Sequence, residues 1–160
     1  MRDVVRLTLA ILSIVVCACS SIDCPVQTTV QASYAFVDAE GNSLRLTDTL
    51  YVWTRRADGV DTLLLNRGVN LTTFSLPVSY QQPEDTLIFR FTNTQMQSAT
   101  DTVWLKKEDI PHFESVDCNT HFFHRLTNVR STHQVIDTIT ISNPKVNYDT
   151  ERTHLNIQFR

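Results

Sequence analysis

From Val26 onwards, apolar and polar positions alternate with a period of two, and no stretch sustains a helical period. Val26, Thr28, Val30, Ala32, Tyr34 and Phe36 line one face of a first strand. Ala39-Glu40-Gly41-Asn42 reads as a turn. Thr49 to Arg55 sets Leu50 and Val52 against Tyr51 and Trp53, apolar on both faces as a central strand is. Ala57-Asp58-Gly59 predicts a tight hairpin turn, with Val60 to Leu65 returning. Phe74, Leu76, Val78 and Tyr80 make another one-sided strand, ended by Gln82-Pro83-Glu84. Leu87, Phe89 and Phe91 follow, then Val103 and Leu105 opposite Trp104 and Lys106. Short strands are expected at Phe113 to Val116, Phe122 to Val129, Ile136 to Ser142 and around Leu155, Ile157 and Phe159. About eight or nine strands with closely spaced turns predict an all-β fold: an antiparallel two-sheet β-sandwich of the immunoglobulin-like kind. A closed β-barrel is the alternative.

An internal regularity accompanies these strands. Asp-Thr followed by an aliphatic residue occurs at Asp48, Asp61, Asp85, Asp101 and Asp137. Asp favours turns and β-branched Thr favours extended backbone, so each is expected where a turn gives way to a strand. Irregular spacing and the lack of an Asp-rich loop argue against calcium ligands. The three glycines, Gly41, Gly59 and Gly68, are likewise expected at turns.

The front of the chain follows a different pattern. Two arginines within Met1 to Arg6 precede an apolar run from Leu7 to Val16, too short to span a bilayer. Val16-Cys17-Ala18-Cys19 then resembles a bacterial lipobox, with an aliphatic residue at −3 and a small one at −1. Residues 1–18 are therefore expected to be a lipoprotein signal peptide. Cys19 is expected to carry the lipid, palmitate or a similar acyl group, with residues 19–23 as a short tether and 24–160 as a single β-sandwich domain. Two or three acyl chains anchor stably where one is marginal.

Removing 18 of 160 residues leaves 142, with 12 Lys+Arg against 16 Asp+Glu, a net charge of about −4. That excludes a nucleic-acid partner, which needs clustered positive charge. The pairs Arg55-Arg56 and Lys106-Lys107 read as solvated surface. Export leads to an oxidising compartment, and one cysteine pair then remains, Cys24 and Cys118. A disulfide between them would close a loop of about 95 residues, stabilising by ~4–5 kcal/mol in the chain-entropy model. Free thiols in a metal or catalytic site are the alternative.

Candidate chemistry is sparse. His112, His121, His124 and His133 lie close in sequence, but His121 and His124 point to opposite faces of a strand and cannot share one ion. His112 and Glu114 share a face. These histidines are expected at loop and strand surfaces, with no metal and no cofactor. No Gly-x-Ser-x-Gly elbow occurs, and short loops leave little material for a cleft, so the chain is expected not to be an enzyme. Trp104, Trp53 and Tyr51 are the candidate ligand-surface residues. Core packing between the sheets is their expected role, and a sugar-binding platform the alternative.

The stretch Pro111 to Cys118, with Phe123-His124 and Ile136 to Ile139, resembles an uncharacterised lipoprotein family of gut-dwelling Gram-negative anaerobes, as do Ser21 to Pro25 and Leu64 to Asn70. The resemblance implies export, lipidation and paired cysteines, and supplies no activity. The expected function is a cell-envelope lipoprotein with a structural or protein-binding sandwich. A glycan-binding surface module is the first alternative and a small hydrolase the second. Such anaerobes often surface-expose lipoproteins with an acidic stretch after the lipidated cysteine. Here only Asp23 lies near, so the expected location is the outer membrane facing the periplasm.

Overall fold

The computed structural model describes residues 30–115, 118–149 and 151–160. The expectations for the signal peptide, Cys19, Cys24 and the start of the first strand lie outside the described residues. Among the described residues there are ten strands and no helix: β1 (Gln31–Phe36), β2 (Thr49–Arg55), β3 (Asp61–Gly68), β4 (Thr73–Pro77) and β5 (Glu84–Thr92), followed by β6 (Ser98–His112), β7 (His121–Ser131), β8 (Ile136–Ile141), β9 (Lys145–Val146) and β10 (Leu155–Phe159). They form a four-stranded sheet in the order β4-β1-β10-β8 and a six-stranded sheet in the order β3-β2-β5-β6-β7-β9. Among the described strands all pairs are antiparallel except β1 with β10, the first and last of them.

The two sheets pack through the apolar faces read from the sequence. Ala32, Tyr34 and Phe36 of β1, Leu76 of β4 and Leu155 and Ile157 of β10 are buried against Leu50, Val52, Leu87, Phe89, Phe91, Val103 and Leu105. Aromatic rings bridge the layers. Tyr34 stacks on Phe74 at 4.9 Å and meets Phe89 edge-on at 6.1 Å, while Phe91 meets Phe159 edge-on at 5.5 Å. Each such pair contributes about 0.5–1.5 kcal/mol beyond the area it buries. The architecture is sandwich-like.

Several expectations are corrected. No strand covers Phe113 to Ser115; β6 instead continues unbroken through Pro111 to His112, paired with β7. The two-residue β9 is too short to leave a periodic signal. Gly68 is the buried last residue of β3 and not a turn glycine: a Cβ there would lie 2.5 Å from Leu71 Cδ1, so the position is set by close packing. Gly41 and Gly59 do sit in turns, at φ of 84° and 80°, where other residues are strained.

A bulge explains the broken alternation in β7. Lys106 pairs with Asn128 and Lys107 with Leu126, leaving Thr127 as the extra residue. Ser131 therefore shares the inward face with Leu126 and His124, although their positions differ in parity. Similar register shifts occur twice between β2 and the edge strand β3.

Candidate functional site

The outward residues of β2, β5, β6 and β7 meet in register. Trp53 aligns with Ile88 and Thr102, Tyr51 with Arg90 and Thr100, and Arg55 with Thr86, Trp104 and Arg130. The structure thus brings Trp53, Tyr51 and Trp104 onto the outer face of the six-stranded sheet, each partly exposed. Core packing is not their role. The inter-sheet space is filled by Phe and Tyr34 rings from the opposite parity of the same sheet and from its partner.

The rings on this face are organised by arginines. Tyr51 and Trp53 stack at 5.9 Å, and the Arg90 guanidinium lies 4.9 Å from the centre of the Trp53 ring. The Arg130 guanidinium lies 4.0 Å from the centre of the Trp104 ring and 2.9 Å from Glu84 Oε1. A cation over an exposed indole contributes about 0.5–1 kcal/mol. Arg90 and Arg130 were missed by reasoning from sequence. Arg90 alternates with Phe89 and Phe91 and so faces outward, but its meeting with Trp53 depends on the register of β2 against β5.

Charge is unevenly divided between the two outer faces. The six-stranded sheet directs Arg55, Arg90, Lys106, Arg125, Arg130 and Lys145 outward, against Asp61, Glu84 and Glu108. This face is net positive on a chain whose net charge is −3. Leu63 and Ile110 stand among these groups, each 42% exposed. The four-stranded sheet directs Ser33, Thr73, Ser75, Thr138, Thr140, Asn156 and Gln158 outward, all uncharged; the one charged residue of its strands, Asp137, sits exposed at the register shift of β8, 4.0 Å from Arg160.

The histidines separate into different roles, and two of them correct the expectation of surface positions. His121 and His124 are each 2% exposed. His124 Nδ1 lies 2.7 Å from Asp109 Oδ1; burial pushes its pKa down against the upward pull of that carboxylate. His121 Nδ1 is buried without a hydrogen-bond partner among the described residues. His112, across the strand pair from His121, stacks on Phe123 at 4.2 Å and holds Glu114 Oε1 at 3.0 Å through Nε2. Among the described residues, no three His, Cys, Asp or Glu side chains are placed to hold a metal ion. His154, which carried no expectation, is fully buried. Its Nδ1 accepts the Ser33 N–H at 3.0 Å and its Nε2–H donates to the Lys145 carbonyl at 3.0 Å.

The buried acids are committed to structure. Asp85 lines a half-open cavity of about 230 Å³ with Leu64, Val78 and Tyr80. Its Oδ1 receives Lys107 Nζ at 3.0 Å and its Oδ2 the Ser79 N–H at 3.2 Å. Lys107 is therefore interior, which corrects the reading of Lys106-Lys107 as solvated. A second cavity of about 310 Å³ has Asp38 and Asp137 in its wall. Asp38 accepts the backbone N–H groups of Asn42 and Glu40, and the Asn42 bonds above all hold its carboxyl below the usual range. A general acid needs the opposite shift.

The described residues thus define an all-β, two-sheet protein with one arginine–aromatic sheet face and one neutral hydroxyl-rich face. Residues 49–159 match the model of a Family of unknown function (DUF6452), and the chain belongs to that family. No curated protein and no solved structure matches it.

Proposed function

We propose that this chain is a non-catalytic lipoprotein of the cell envelope of gut-dwelling Gram-negative anaerobes. It binds a protein partner through the outer face of its six-stranded sheet. In this reading residues 1–18 are removed, Cys19 carries the lipid, and residues 24–160 form one domain on the periplasmic side of the outer membrane. The disulfide-bonded state of Cys118 supports its pairing with Cys24. The crossings between sheets and the parallel β1–β10 pair support an immunoglobulin-like arrangement, although the β5-β6-β7 meander is not part of that strand order.

The observation that carries the reading is the gathering of Tyr51, Trp53, Trp104, Arg90 and Arg130 on one accessible face. Trp, Tyr and Arg are the side chains that dominate binding energy at protein interfaces. A sugar platform is less well supported, because guanidinium groups already occupy ring faces of Trp53 and Trp104. The buried ionisable side chains Asp85, Lys107 and Asp101 are consumed by internal hydrogen bonds and ion pairs, which favours binding over catalysis.

The test is photocrosslinking in the native host from a reactive residue at Thr102, compared with one at Thr140 on the other sheet. Protein adducts from position 102 that disappear with Trp104→Ala, and are absent from position 140, are the expected result. No protein adduct from position 102, or identical adducts from both faces, overturns the reading. Reproducible glycan-array binding lost with Trp104→Ala would replace it with the glycan-binding alternative.

A further inference from the structure

Resting on that reading, we infer that the segment bound by this face is an acidic polypeptide carrying aliphatic side chains. The face holds six cations (Arg55, Arg90, Lys106, Arg125, Arg130 and Lys145) against three acids (Asp61, Glu84 and Glu108), a surplus of three positive charges on a chain whose net charge is −3, so the sign is reversed locally. Two of the acids are already paired. Asp61 holds Arg55 at 3.0 Å and Glu84 holds Arg130 at 2.9 Å. Arg90 is committed only to the Trp53 ring among the contacts of the described residues. A guanidinium lying against a ring keeps in-plane N–H donors directed outward, and that fork matches a carboxylate in two-point contact.

The apolar component selects among anions. Leu63 is exposed opposite Trp53, between the rows of Arg55 and Arg90; Ile110 is exposed one outward step beyond the row of Glu108 and Arg125; and Ile88 lies half-buried between Trp53 and Thr102. An acidic polysaccharide offers carboxylates and hydroxyls but no aliphatic side chains to cover them. An acidic polypeptide supplies both, and covering each exposed aliphatic side chain gains about 25 cal/mol per Å² removed from water. The neutral face of the four-stranded sheet offers neither component, which makes it the internal control.

The experiment uses the mature chain with its lipid anchor in detergent micelles, titrated while tryptophan fluorescence is followed. The probes are a random glutamate–leucine copolymer, polygalacturonate and vesicles containing phosphatidylglycerol. The copolymer is expected to bind best, and its affinity to fall as salt rises from about 0.05 to about 0.3 M. Arg90→Glu with Arg130→Glu is expected to weaken it by at least about tenfold. Thr140→Glu is expected to leave it unchanged, and unchanged near-UV circular dichroism shows that each variant is folded.

Equal or tighter binding of polygalacturonate or of the vesicles overturns the inference in favour of an acidic glycan or a lipid surface. Failure to bind the copolymer, or binding that the double variant leaves intact, also overturns it. Those failures are separable from failure of the parent reading. Crosslinks at Thr102 to a neutral or basic protein would keep the face as an interface and remove only the acidic partner.

Discussion

Lys107 and Asp85 pair inside the sandwich, with Nζ 3.0 Å from Oδ1 and side-chain exposures of 0% and 7%. The ammonium also donates to the Gln82 carbonyl at 2.7 Å, so the pair ties β6 to the turn entering β5. Burial pushes the Asp85 carboxyl up, and the Lys107 charge pulls it back. Removing one partner strands the other in an apolar setting. Lys107→Met is expected to destabilise the fold by about 3–5 kcal/mol, whereas Lys107→Met with Asp85→Leu recovers most of that loss. Urea unfolding of the two variants checks it, and equal losses in both would show that the pairing is not the cause.

Asp101 plays a different structural role. Its carboxylate accepts Thr132 Oγ1–H at 2.6 Å and the N–H groups of Gln134, Val135 and Ile136 at 2.7, 2.7 and 2.9 Å. Burial raises the carboxyl pKa, but these donors together hold it below the usual carboxylate range. Asp101→Asn turns one acceptor into a donor facing N–H groups, and is expected to cost about 2–4 kcal/mol. Because the folded pKa is depressed, this stabilisation is present above the unfolded value and is lost as pH falls through the folded one. Acid unfolding of Asp101→Asn should therefore lack that portion of the loss seen in the native sequence.

The histidines predict a second, milder pH effect. His154 uses Nδ1 as an acceptor for Ser33 N–H, so protonation there sets donor against donor, and burial first of all lowers its pKa. His124 is lowered in the same direction. The unfolded chain takes up these protons more readily than the folded one, so stability falls as pH drops below about 6.5. The slope from each histidine reaches at most about 1.4 kcal/mol per pH unit. Denaturant titrations between pH 8 and pH 5 measure it, and His154→Gln should flatten part of the slope.

The anchor and the staple are tested at the cysteines. Cys19→Ala is expected to abolish fatty-acid labelling in the host. Replacing Cys118 by Ser is expected to cost roughly 2–5 kcal/mol and to abolish the mobility difference between reducing and non-reducing gels. Persistent labelling of the Cys19 variant would remove the lipid anchor, and alkylation of both Cys24 and Cys118 in the native protein would remove the staple.

Much of the fold was legible because a half-buried strand writes its two faces into alternate positions. Ala32, Tyr34 and Phe36, then Leu87, Phe89 and Phe91, declared the core, and Thr49–Arg55 was delimited by its composition alone. Local sequence could not show which strands become neighbours. The five Asp-Thr tripeptides are nearly identical as text, yet Asp61 is exposed beside Arg55 while Asp85 and Asp101 are buried with separate partners. Asp101 lies inside β6 and not at a strand entry. The bulge at Thr127 carries no distinctive residue, and it alone reconciles the inward face of Ser131 with that of His124.

Alternation along the chain thus determined that this protein is built of paired strands with an apolar layer between two sheets, because that pattern depends on each strand's own geometry. Tertiary structure decided which polar groups go inside and which rings meet which arginines. Lys107 finds Asp85 and Arg130 finds Trp104 only across strand pairs, where distance depends on register and not on separation in sequence.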